Sequence, residues 1–390
     1  MSAAEPIVHV TGRAEQRLKA GHLWIYRADV RTADAQGGDT VLVVGPHDKR
    51  LGRALYSDRS QIALRMLVSG DIPAGPSLWR ERIEAALSFR QQLGIDATAY
   101  RLVHGEADLM PSFVVDRYGD YLVVQALSQA VDRMLPDLVE QLVGLLKPTG
   151  IVARHDGRVR TLEGLETGVR IVYGSVPETV VVREGPIEIE ADLKGGQKTG
   201  LFLDQRENRR AATRYARGRA LDCFCYTGAF ALNLARVCER VEAVDISAEA
   251  VRRAAANARL NGFANVEARE ANVFDELRRL ERDGAAFDTI VLDPPAFAKN
   301  KAAVPKAVPG YKEINLRALK LLKIGGYLVT CSCSYHVDEA AFGQILYEAA
   351  TDARARVTVV EKRTQGRDHP ILLGVPETYY LKCVVLRRIG

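Results

Sequence analysis

From about residue 180 onward, continuous apolar runs alternate with helical patterns, and this alternation constrains the fold more than any other feature. The predicted strands Arg219–Phe224, Val241–Val244, Asn265–Ala268, Phe287–Leu292 and Tyr327–Cys331 are separated by predicted helices at 228–238, 248–261, 312–323 and 338–350. Strands that are apolar along their whole length must be buried on both faces, as in a parallel sheet covered by helices. The last two predicted strands, near 357–362 and 379–387, are joined without a helix, through Gly366 and Pro370. An antiparallel hairpin at the sheet edge follows, an ending foreign to a dehydrogenase sheet.

At 390 residues the chain exceeds one ordinary core. Residues 7–68 read as short strands between turns, the signature of a small β-rich domain, and Asp71-Ile-Pro-Ala-Gly-Pro76 reads as a linker. Helical patterns at 78–94 and 131–146 with strand-like runs at 112–116, 121–127 and 151–155 describe an α+β middle domain. The expected division is 1–72, 73–178 and 179–390. No run approaches the ~20 apolar residues of a membrane span, and the start lacks the pattern of a secretion signal. A cytoplasmic protein without membrane contact is expected, and six cysteines are too sparse for a disulfide scaffold. The net charge of +5 is concentrated in two blocks, Lys194–Arg219 and Lys299–Lys323, each with a net +6. Nucleic acid is the partner such blocks suggest.

The chemistry-bearing motifs fall at strand ends, where an open α/β sheet holds its ligand. The first strand runs into Asp222-Cys-Phe-Cys-Tyr-Thr-Gly228, with only one glycine and so no dinucleotide phosphate cradle. An acidic residue and one glycine instead suit S-adenosylmethionine, which carries no phosphate. Asp245 ends the second strand 23 residues after Asp222, the spacing at which a carboxylate meets ribose hydroxyls, unless it only caps the next helix. Asn272 ends the third strand and either meets the adenine amino group or caps a turn. Asp293-Pro-Pro-Ala-Phe297 closes the fourth as a rigid corner aiming polar groups into the crevice.

Thr330-Cys-Ser-Cys-Ser334 closes the fifth strand, and Cys331 and Cys333 share a face if the strand continues. Four roles compete for them: buried small side chain, metal ligand with Cys223 and Cys225, redox pair, or nucleophile for a pyrimidine. Position and chemistry favour the last. Carbon 5 of cytosine is a poor nucleophile until a thiolate adds to carbon 6.

At these residues the chain resembles the bacterial 23S ribosomal RNA cytosine-C5 methyltransferase family that carries an N-terminal PUA domain. The likeness includes Gly21–Tyr26, Leu51–Ser57, Arg101-Leu-Val, Gly105–Asp108, Asp116-Arg117, Gly195–Arg209, Asp222–Gly228, Asp293–Phe297, Gly310-Tyr-Lys312, Ser332-Cys-Ser334 and Asp368-His-Pro370. It implies a class I (Rossmann-like) methyltransferase sheet with an antiparallel last strand, behind a PUA-like RNA-binding domain and the α+β domain. It aligns Cys333 with the nucleophile and Asp293 with the group that holds the base. It further implies S-adenosylmethionine bound by Gln205, Arg206, Asp222, Phe224, Tyr226, Thr227, Gly228, Asp245, Ile246, Asn272, Asp293 and Pro294, and no metal. Large-subunit ribosomal RNA is the implied partner, met by Lys299, Lys301 and Lys312 in a loop after the fourth strand; a homodimer is left open. Two other readings stand beside it: a guanine-N7 methyltransferase, which needs no thiol, and a catalytically lapsed RNA-binding assembly factor.

Overall fold

Arg219–Cys223 (β1), Arg240–Asp245 (β2), Val266–Glu270 (β3), Phe287–Leu292 (β4), Leu322–Ser332 (β5), Val357–Arg363 (β6) and Lys382–Arg388 (β7) form one seven-stranded sheet in the computed structural model. The structure describes residues 5–196, 199–298 and 300–390. The strand order is β3-β2-β1-β4-β5-β7-β6. Strands β1 to β5 pair in parallel, whereas β7 runs antiparallel to both β5 and β6. Side chains along the strands alternate between two cores. Leu221, Cys223, Val244, Ile290, Leu292, Leu328 and Val384 enter one, and Ala220, Ala243, Val291, Val329, Cys331 and Cys383 the other. That period of two, buried on both sides, is why the runs read as unbroken apolar sequence.

Helices Arg206–Ala212 (α1), Ala229–Ala235 (α2), Ala248–Leu260 (α3), Val273–Arg282 (α4), Val304–Leu321 (α5) and Glu339–Asp352 (α6) cover the sheet. Two differ from expectation. No helix was predicted at α4, although Val273, Leu277 and Leu280 are buried at helical spacing behind an Asn272 cap. Helix α5 was predicted only from 312, with a loop before it. It begins at Val304, because Pro305 in the first turn has no N–H to lose.

The described chain forms two compact units. The second comprises 183–190, 204–366 and 379–390, which contain the seven-stranded sheet. The first contains 1–182 together with 191–203 and 367–378, so the chain passes between the two units more than once. It carries a six-stranded sheet from residues 7–69 and a five-stranded sheet from residues 99–174. Helices Pro76–Gln92 and Gln129–Leu146 accompany the latter sheet. Within this unit Arg101 pairs with Asp116 at 2.8 and 2.9 Å, and Asp368 accepts the Arg101 backbone N–H at 2.9 Å. Residues 367–378 are thereby tied to the five-stranded sheet of the same unit. No helix among the described residues is long and apolar enough to cross a membrane.

Candidate active site

Because β1 to β5 run in parallel, their carboxyl ends lie along one edge, and the predicted motifs come together there. The turn after β1 is the most constrained backbone in this unit. Phe224 (φ +64°), Tyr226 (+48°) and Gly228 (+84°) all occupy left-handed conformations, two of them without glycine's freedom. Such strain persists only where surroundings over-determine it. Cys225 N–H donates to Val244 O at 3.0 Å, Gly228 N–H to Cys225 O at 2.8 Å, and Tyr226 N–H to Asp245 Oδ2 at 2.9 Å. Gly228 is also required by packing: a Cβ would stand 3.0 Å from that of Ala254 on α3.

Asp245 therefore holds the turn, and its second oxygen accepts Ser247 N–H at 2.9 Å. Ser247, not Asp245, caps α3, which removes the simple capping account. Beside it Ile246 is 67% exposed, an apolar side chain presented at the strand end. Asn272 does cap α4: its Oδ1 accepts Phe274 N–H at 2.9 Å. The turn reading thus describes its contact here. The Thr227 carbonyl accepts Asn257 Nδ2 at 3.0 Å, and its hydroxyl is buried without a partner among the described residues.

Asp222 is fully buried. One carboxylate oxygen accepts Ala231 N–H at 2.9 Å, while Oδ1 has no partner among the described residues. Burial, joined by the carboxylates of Asp293 and Asp245, pushes its pKa well above the usual range. Three carboxylates facing one strained turn, one with an orphaned oxygen, fit a ligand that supplies hydrogen-bond donors and positive charge. The amino group and sulfonium of S-adenosylmethionine match that donor set.

Asp293 follows β4, and its Oδ1 accepts Gln205 Nε2 at 2.8 Å. Gln205 is buried and in turn accepts Asn208 Nδ2 at 2.7 Å, so the amide is locked in one orientation. The Phe297 ring turns inward between Phe274 (6.0 Å) and Tyr311 (4.6 Å), with Phe224 at 6.4 Å, and anchors the corner. Phe224 thus contributes to this aromatic cluster.

The two cysteines separate cleanly. Strand β5 stops at Ser332, so the expected shared face does not extend to Cys333. Cys331 is buried opposite Cys383 on β7, and hydrogen bonding to Cys383 followed by burial pushes its thiol pKa well up. Cys333 is half-buried, and its Sγ lies 3.8 Å from the Pro294 carbonyl that follows Asp293. Cys223 and Cys225 pack in opposite cores, so the two pairs do not assemble a ligand set.

The basic blocks fare differently from expectation. Arg206 and Arg209 are buried, and Arg209 pairs with Glu184 at 2.8 Å; Arg219 binds Glu242 at 2.8 Å. Arg206 and Arg209 are therefore internal structure and not a phosphate surface, whereas Arg210, Arg214 and Arg217 are exposed. Lys312 bonds Asp352 at 2.9 Å and approaches Glu348 at 3.5 Å on α6, so its charge is spent there. Lys301 and Lys306 are exposed. Lys299 lies outside the described residues.

Two participants, Ser334 and Lys382, were not foreseen. Ser334 is buried, with its hydroxyl 2.9 Å from Tyr311 Oη and accepting Ala298 N–H at 3.1 Å. Lys382 is buried and donates to the Ser334 carbonyl at 2.7 Å. A lone lysine in the apolar run Leu381-Lys-Cys-Val-Val-Leu386 was the available signal.

Comparison with known proteins accords with this geometry. Residues 216–372 match a family model described as a methyltransferase domain, and residues 8–69 one described as a PUA-like domain. The ribosomal RNA large subunit methyltransferase I of Shewanella denitrificans is 38% identical over 96% of this chain and 97% of its own length. That of Tolumonas auensis is 39% identical over 98% of this chain and 99% of its own. Among solved structures, a SAM-dependent methyltransferase from Streptococcus mutans superposes with a TM-score of 0.84 at 20% identity, covering 98% of this chain and 100% of that one. A methyltransferase solved in complex with SAH gives 0.85 at 20% identity over the same shares, a likeness of fold. The chain belongs to the ribosomal RNA large subunit methyltransferase I family.

Proposed function

We propose that this protein methylates carbon 5 of a cytidine in 23S ribosomal RNA, using S-adenosylmethionine and a covalent bond to Cys333. The observation that carries the reading is the contrast among thiols: five cysteines are buried, and the half-buried one stands beside the Asp293-Pro294 corner. A guanine-N7 enzyme has no use for a thiol there.

When bound, S-adenosylmethionine supplies the methyl group as an electrophile. Asp222 Oδ1, Asp245 and the 224–228 turn are the groups that would hold it, with Ile246 flanking the adenine. The Cys333 thiolate bonds to carbon 6 of the cytosine, and the electron pair displaced from the 5,6 double bond makes carbon 5 nucleophilic. Asp293, fixed by Gln205, accepts hydrogen bonds from the amino edge of the base. After carbon 5 takes the methyl group it gives up its proton to water, the electron pair of that carbon–hydrogen bond re-forms the double bond, and the thiolate departs with the carbon–sulfur pair. Lys301 and Lys306 offer exposed charge for phosphates flanking an extruded base.

The reading is tested by methylating large-subunit RNA with the purified protein and identifying the product nucleoside by mass spectrometry. The expected product is 5-methylcytidine. Recovery of 7-methylguanosine, or of no methylated nucleoside with any ribosomal RNA preparation, would remove it.

Asp245→Ala tests the cofactor half independently. Charge-assisted hydrogen bonds contribute roughly 1.5–3 kcal/mol each, and Asp245 also secures the Tyr226 N–H. Calorimetry should show S-adenosylmethionine binding weakened at least about tenfold. Parental affinity in a folded variant would take Asp245 out of the site.

A further inference from the structure

The five-stranded sheet of the first unit borders a cavity that the methyl-transfer chemistry does not use. Between strands Gly150–Arg154 and Val169–Gly174 the chain makes an excursion. Its neck is closed by His155 N–H donating to Gly168 O at 2.8 Å and Gly168 N–H to His155 O at 3.2 Å. Its middle is anchored by buried Glu163, which pairs with buried Arg65 at 2.7 Å. The excursion and the first turn of helix Gln129–Leu146 enclose a cavity of about 350 Å³, whose lining includes Asp132, His155, Arg160, Glu166, Thr167 and Arg170. That volume lies in the range of small-molecule sites.

Two buried side chains bring hydrogen-bond donors to it. His155 is 4% exposed, and its Nε2 accepts Ala126 N–H at 3.2 Å. The ring proton is therefore on Nδ1, which stands 3.9 Å from Asp132 Oδ1, too far for a hydrogen bond. Arg160 is 3% exposed. Its Nε donates to Glu166 O at 2.8 Å, and Nη1 to Ala126 O and to Asp132 Oδ1, the latter at 2.8 Å. Among the described residues, Arg160 Nη2 has no acceptor and Asp132 Oδ2 no donor. None of the three atoms is sealed in the interior, so the cavity is where a partner can meet them.

The chemistry of the lining narrows the ligand. Arg160 and Arg170 are balanced by Asp132 and Glu166, and His155 is neutral, because burial and then the Arg160 charge bring its pKa down to about 4. A bare anion would face the Asp132 carboxylate with no net positive charge to hold it. A neutral planar group with an acceptor beside an N–H suits the set. Its acceptors take the His155 and Arg160 protons, and its N–H donates to Asp132 Oδ2. Every RNA base carries such an edge, and an unpaired base leaves it open to side chains. Arg170 is exposed where it borders the cavity and is free to meet the phosphate of that nucleotide.

We propose that this cavity is a further RNA-binding site that takes one unpaired base of the substrate, with His155 Nδ1 and Arg160 Nη2 as donors and Asp132 Oδ2 as acceptor. No bond is made or broken in it. It holds the RNA by a nucleotide other than the one methylated. The inference rests on RNA being the substrate and not on the role of Cys333.

The test is fluorescence anisotropy of the full-length protein with two labelled, short single-stranded oligoribonucleotides. One is of mixed sequence, and the other has abasic ribose throughout, so the phosphates are equal. Asp132→Asn keeps an oxygen for Arg160 Nη1 and puts an amide N–H group where the open acceptor stood. It should weaken binding of the base-bearing RNA about tenfold, the scale of one hydrogen bond to a charged group. Binding of the abasic RNA and of S-adenosylmethionine should not change. Unchanged affinity for the base-bearing RNA overturns the proposal, and so does equal weakening of both RNAs. If inorganic phosphate at constant ionic strength removes the difference between parent and variant, the cavity is an anion site only and the proposal fails. Should Asp132→Asn not fold, Thr167→Trp, which fills the cavity from an exposed position of its lining, decides by the same comparison. Failure of the proposed methylation looks different. The product nucleoside would then be another one, while the Asp132-dependent difference between the two RNAs remained.

Discussion

Cys333→Ala is expected to lower methyl transfer at least about a thousandfold, the scale on which removal of a nucleophile acts. It should also abolish a trapped adduct. With 5-fluorocytosine at the target position, fluorine replaces the proton that must leave carbon 5, so elimination stalls and the enzyme remains bonded to RNA. The parent protein should form this denaturant-resistant adduct. So should Cys331→Ala, because Cys331 is buried against Cys383, and its thiol is pushed away from ionisation. Cys333→Ala should form none, yet fold and bind S-adenosylmethionine, since one half-buried thiol leaves only a small cavity. Methylation at the parental rate in Cys333→Ala would end the covalent reading and promote the guanine-N7 alternative. Loss of the adduct in Cys331→Ala alone would move the chemistry to the other cysteine.

What the sequence disclosed and what it hid follow from the range of the interactions. The alternation of β1–β5 with helices is local, and so is the missing helix before β7; both were readable. Asp222, Asp245 and Asp293 could be placed at the ends of strands because a strand end announces itself by where an apolar run stops. Asn272 was noticed but its capping role was weighed against adenine binding, so the helix it starts went unread. Charge was the least legible property. A run of arginines looks the same whether solvated or buried, and only the fold brings Glu184 to Arg209 across 25 residues. The same holds for Gln205 with Asp293, 88 residues apart, and for Lys382 with Ser334, 48 apart. Cys333 could be ranked above Cys331 by resemblance, but the physical basis, a strand that stops one residue before the thiol, needed the structure.

Asp293→Ala should separate chemistry from folding at the other half of the site. One oxygen of its carboxylate is held by Gln205 at 2.8 Å. Removing a preorganised group that touches the reacting base costs about 10²–10³ in kcat in comparable sites. Stability should move the other way. Asp293 is the largest charge raising the pKa of buried Asp222, and it also raises that of Cys331. A carboxylic acid whose folded-state pKa is raised contributes stability below its unfolded pKa of about 3.9 and loses it as pH rises toward the folded value. Without Asp293 the folded pKa of Asp222 falls back, and that loss shrinks. Thermal unfolding between pH 6 and 9 should therefore show the variant no less stable than the parent, while methyl transfer collapses. Gln205→Ala, which leaves the carboxylate but frees its orientation, should fall between the two in kcat. If Asp293→Ala instead melts several degrees below the parent across this range, Asp293 is a structural brace of the corner, and its place at the base edge would have to be abandoned.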